Sequence, residues 1–142
     1  MRRICLFLSL TVLLVTLFGC GSLRAYTLDE ILPAPTDDAT LLPLIESVTV
    51  TRADGESVTV SGPDVETLMM AFGTLVCTRK QTDGVAAAYT LTFVMADPSD
   101  VRPDLLVTPD TEYADPCIQY GEYLYTPVDA RFDLQYLDSL FH

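Results

Sequence analysis

Two short runs of alternating β-branched residues, set on either side of an Asp-Gly pair, restrict this chain more than any other stretch. Val48 and Val50 alternate with Thr49 and Thr51, Val58 and Val60 alternate with Ser57 and Thr59, and Asp54-Gly55 lies between them. A period of two places the valines on one face, and Asp-Gly supplies the turn chemistry, so Ile45 to Val60 predicts a β-hairpin with one buried face. A half-buried hairpin needs a second layer against it.

The next residues offer that layer. Ser61-Gly62-Pro63-Asp64 can start a helix, because serine caps, proline suits the first turn and Asp64 sits at the positive end of the dipole. Val65, Leu68, Met69, Phe72, Leu75 and Val76 recur at helical spacing. They predict an amphipathic helix of about four turns, with Arg79 and Lys80 near its negative end. Tyr89 to Met95 alternates as a strand, and Leu105 to Thr108 is a shorter one ended by Pro109. Cys117 to Tyr120 and Tyr123 to Thr126 flank Gly121-Glu122, a pair suited to a type II′ turn. Asp129 can cap a last segment carrying Phe132, Leu134, Tyr136, Leu137, Leu140 and Phe141. That segment reads as a short helix, although Phe132, Leu134 and Tyr136 also alternate as a strand would. The pattern predicts an α+β domain: an antiparallel sheet of five to six strands with one long amphipathic helix and a short C-terminal helix on one face.

Ahead of this domain lies a different kind of segment. Arg2 and Arg3 precede an uncharged, mostly apolar run from Ile4 to Phe18, and Leu17-Phe18-Gly19-Cys20 is followed by Gly21-Ser22. A membrane-spanning helix needs about 20 apolar residues, and the shorter run here fits the h-region of a secretory signal. With a cysteine where cleavage should fall, the segment resembles the lipobox signal of bacterial lipoproteins; Phe18 departs from that pattern, which usually has a small residue there. The resemblance implies that residues 1–19 are removed, that Cys20 is acylated, and that the protein stays at the outer face of the membrane. Two acyl chains hold stably where one binds marginally. Without lipidation the leader would be an uncleaved anchor, or would be cut and leave Cys20 free. Behind it the chain resembles the small ectodomains of such lipoproteins in architecture and composition only. Residues 20–43 carry Pro33, Pro35, Pro43 and several acids with no regular period, and read as a flexible tether before a domain at 44–142.

Charge narrows the partners. The 142-residue chain has a net charge of −12, and loss of Arg2 and Arg3 would make it −14. Such a chain lacks the cations that displace counterions from nucleic acid, which excludes that partner. The same charge opposes lying flat on an anionic lipid surface. Cys77 and Cys117 remain once Cys5 and Cys20 are accounted for. In an oxidising compartment they could form a disulfide worth about 2–4 kcal/mol, or stay as two buried thiols. Their spacing matches no zinc or redox motif.

Chemistry-bearing residues are few. The only histidine is the terminal His142, a poor place for a general base because chain ends fray. Asp64 with Glu66, and Asp110 with Glu112, are carboxylate pairs by sequence alone. Asp110, Glu112 and Asp115 offer oxygen ligands in one loop but lack the spacing of a calcium loop. No cofactor is implied. Tyr113, Tyr120 and Tyr123, with Glu122 between the last two, are the candidate contact surface, because tyrosine packs and hydrogen-bonds at once; equally, alternate tyrosines can pack a sheet. The expectation is a membrane-anchored, non-enzymatic binding or accessory domain at the cell envelope, contacting an envelope protein or a small ligand. An inhibitor or modulator of an envelope enzyme and a carboxylate-dependent hydrolase are the alternatives.

Overall fold

The computed structural model describes residues 24–32, 42–72, 74–112, 114–128 and 133–142. In chain order the elements are β1 (Arg24–Thr27), α1 (Leu28–Ile31), a 3-10 turn (Leu42–Leu44), β2 (Ile45–Arg52), β3 (Ser57–Ser61), α2 (Pro63–Phe72), β4 (Thr74–Gln81), β5 (Tyr89–Met95), β6 (Leu105–Val107), β7 (Ile118–Tyr120), β8 (Tyr123–Pro127) and α3 (Leu134–Ser139). The strands form one sheet in the order β1-β4-β8-β7-β6-β5-β2-β3. Every neighbouring pair is antiparallel. The α+β antiparallel class is as expected, with eight strands among the described residues in place of five to six.

The β2–β3 hairpin forms where the alternation places it, with Val48 opposite Val60 and Val50 opposite Val58. Its loop is longer than two residues. Gly55 N donates to Arg52 O, Arg52 N donates to Glu56 O, and Gly55 alone takes a positive φ, at 91°. This is a type I turn closed by a glycine bulge. Arg52 braces it, reaching Asp54 at 2.7 Å and Glu56 at 2.6 Å. The opposite face of the hairpin is hydroxylated: Thr49 bonds Thr59, and Thr51 bonds Ser57, each at 2.9 Å.

Helix α2 is shorter than its apolar spacing predicts. It buries Val65, Leu68, Met69 and Phe72 and stops there. Leu75 to Lys80, expected as the end of the helix, belongs instead to strand β4. Gly73 is the stop signal in the sequence, and the following Thr-Leu-Val-Cys-Thr run has strand propensity.

The linking segment also dictates the sheet's shape. β3 and β4 are six spacings apart in the strand order, about 29 Å in a flat sheet. The chain from Ser61 to Thr74 spans at most about 27 Å with its helix intact. The sheet therefore curls around α2, and one core fills the concave side. That core includes Val48, Val50, Leu91, Leu105, Val107 and Ile118 from the sheet, Leu68 from α2 and Leu137 from α3.

Residues 24–32 change the domain boundary. They were expected to lie in the tether, yet β1 pairs with β4 from Arg24 opposite Cys77 to Thr27 opposite Thr74. Tyr26, Leu28, Ile31 and Leu32 are buried in the core, the last two at 2% and 1% exposure. The apolar residues of this arm outweigh the nearby prolines, because an open edge on β4 gives the arm a partner. At the other end, Asp133 caps α3 through Oδ1, which accepts from Tyr136 N at 3.1 Å. Asp133 N donates to Ala71 O of α2 at 3.1 Å, tying the two helices. The final segment is a helix, and its expected cap Asp129, with Phe132, lies outside the described residues.

Candidate functional site

The tyrosine surface predicted from the sequence falls on the β7–β8 hairpin. Tyr120 pairs with Tyr123 across Gly121-Glu122. Gly121 has φ 58° and Glu122 has none of the positive φ values, which matches the expected type II′ turn. Glu122 is exposed at the tip, whereas Tyr120 and Tyr123 are half-buried and pack against the core. Ring packing thus accounts for much of both tyrosines. Tyr113 and Cys20 lie outside the described residues.

Two arginines flank these rings, and sequence reading placed neither in a site. The Arg79 guanidinium lies over the Tyr123 ring, 4.5 Å from its centroid. It also approaches Tyr125, whose phenol is pushed up by burial and held back by Arg79. Tyr125 in turn meets Tyr26 of β1 edge to face. Arg102 holds Asp100 through two bonds of 2.8 and 3.0 Å and also contacts Tyr120; the Asp100 bond is the main reason its pKa is raised. Arg79 was missed because Leu75 and Val76 continued the helical spacing. The alternation of Leu75, Cys77 and Arg79 from Thr74 onward was the available signal for a strand.

Lys80 follows Arg79 on the other face of β4 and is exposed. Neither Arg79 nor Lys80 has an ion pair with a carboxylate among the described residues. Among the described residues β1 pairs only with Thr74 to Cys77, and Thr78 to Gln81 beyond it are exposed.

The remaining candidates are separate from this surface. Cys77 is buried and Cys117 half-buried, and both thiols are free. Strand β8 lies between β4 and β7, so two strand spacings, about 10 Å, separate them, beyond the reach of a disulfide. Burial pushes the Cys77 thiol up to about 11, with the Cys117 thiol adding to the shift. Cys117 Sγ lies 3.7 Å from Thr126 Oγ1.

Asp110, Glu112 and Asp115 are exposed, and no group of three potential ligands converges among the described residues. Asp64 and Glu66 both occupy the exposed first turn of α2, where they offset the helix dipole. An open depression of about 310 Å³ lies beside that turn, lined by Pro43, Gly62, Pro63, Val65 and Glu66. His142 is exposed at the chain's end. Far from the hairpin, Tyr89 donates a short hydrogen bond to Asp138, and Arg52 lies over the Phe141 ring at 4.9 Å. These contacts fasten α3 to the sheet. Among the described residues no helix is long and apolar enough to cross a membrane.

No protein-family model, curated protein or solved structure matches this chain.

Proposed function

We propose that this chain is an acyl-anchored, extracytoplasmic envelope protein whose α+β domain acts as a non-enzymatic binding or accessory module. The observation that carries the reading is how closely the described domain follows Cys20. The leader-like run ends at Gly19-Cys20, and β1 starts at Arg24, only four residues further on. Cleavage before Cys20 would remove the whole leader-like run and none of the described residues. The contact face of the module is the exposed end of β4, Thr78 to Gln81, with the β7–β8 hairpin. Arg79 there supplies a cation on an aromatic platform, a combination that recognises anionic and polar groups.

Fractionating cells that express the native chain and Cys20→Ala tests the anchor. The native chain stays with membranes and, by intact mass, begins at Cys20 with acyl groups attached. Cys20→Ala is released or remains unprocessed at full length. An unacylated native chain, or equal retention with the leader removed from both, contradicts the anchor.

A further inference from the structure

We infer that the exposed residues Thr78 to Gln81 of β4 rest on the anionic headgroup layer of the membrane that holds the Cys20 anchor. The inference depends on the acylation reading above and names the partner of the surface described there.

Chain length sets the distance. Four Cα steps separate Cys20 from Arg24, at most about 14 Å even when fully extended. Residues 24–32 are strand and core, so they add no slack. An anchor at Cys20 therefore holds the domain against the bilayer and not on a long tether.

Topology sets the orientation. β1 runs antiparallel to β4, and Arg24 lies opposite Cys77. The chain thus enters β1 from the side of β4 that continues into Thr78, Arg79, Lys80 and Gln81. The sheet residues beside that entry point are Thr78 to Gln81, with Tyr123 and Tyr125 next to them on β8.

Charge fits that placement. In a chain of net charge −12, Arg79 and Lys80 are adjacent exposed cations without carboxylate partners among the described residues, one on each face of β4. Both can turn toward phosphates lying along it. Tyr123 supports Arg79 at 4.5 Å, and tyrosine is itself favoured at headgroup depth. The overall negative charge keeps the rest of the domain off an anionic surface, which favours contact through this corner alone. Glu122, whose backbone oxygen accepts from Thr82 N at 3.0 Å, and Asp83 beyond Gln81 are the neighbouring acidic positions.

The test uses the acylated full-length product in vesicles of mixed zwitterionic and anionic phospholipid carrying a headgroup-bound quencher. A fluorophore is placed at Thr78→Cys or at Ala53→Cys, in a Cys117→Ser background. Ala53 lies in the β2–β3 loop, five strands away in the sheet order. The expected result is quenching several-fold stronger at position 78. It should fall toward the value at position 53 in Arg79→Glu/Lys80→Glu, and in the milder Lys80→Glu alone. Equal quenching at the two positions of acylated protein, or quenching unchanged by both sets of reversals, overturns the orientation while leaving the anchor standing. Absence of acyl mass on Cys20 overturns the anchor and the inference with it.

Discussion

Tyr26 meets Tyr125 edge to face, with ring centroids 5.2 Å apart and ring planes at 75°. The contact joins β1 to a strand about a hundred residues later in the sequence. It makes the N-terminal arm part of the core and not an appendage. Tyr26→Ala should cost about 3 kcal/mol, from lost burial and from loss of the ring pair. Urea unfolding followed by tyrosine fluorescence measures this. A change within about 0.5 kcal/mol, typical of surface sites, would mean that the arm is not packed.

Alkaline pH should loosen the clasp of α3. Burial first, and then the hydrogen bond to Asp138, push the Tyr89 phenol up to about 12 from its ordinary value of 10.0. The fold therefore favours the neutral phenol. Its contribution to stability is intact below the unfolded pKa and is lost as pH rises from about 10 to 12. Tyr89→Phe should flatten the fall in stability across that window. An unaltered alkaline profile in Tyr89→Phe would remove Tyr89 as its source.

The two thiols should behave differently. Cys77, pushed up to about 11 by burial, presents very little thiolate at neutral pH. A small thiol reagent should modify the half-buried Cys117 first and reach Cys77 only as the fold opens. Ionisation of Cys77 adds to alkaline destabilisation as pH rises from about 9 to 11, by the same linkage. Equal modification rates, or a mature domain with no titratable thiol after unfolding, would contradict this arrangement.

Local patterns in the sequence located the β2–β3 hairpin, strand β5, the Gly121-Glu122 turn and the start of α2, because each is set by neighbours in the chain. What was missed depends on distant partners. Arg24 to Thr27 is four residues long and becomes a strand only because β4 offers an unpaired edge. Pro33 and Pro35 just beyond it suggested a linker. β4 was obscured for a different reason: Leu75 and Val76 extend the three- and four-residue spacing of Phe72, so the helical period ran on past Gly73. The candidate site was partly legible. Tyr120, Glu122 and Tyr123 were singled out by type, but the placement of Arg79 over Tyr123 follows from the pairing of β4 with β8.

The most direct test of the account compares the urea unfolding of residues 21–142 with that of residues 44–142, the boundary suggested by the sequence pattern alone. The account predicts a single cooperative transition for the longer chain. The shorter one, without β1, Tyr26, Leu28, Ile31 and Leu32, should lose several kcal/mol (about 2–5 for each large core side chain deleted) or fail to fold cooperatively. Coincident transitions would contradict it, returning residues 24–32 to a tether and freeing the domain from its place beside the membrane.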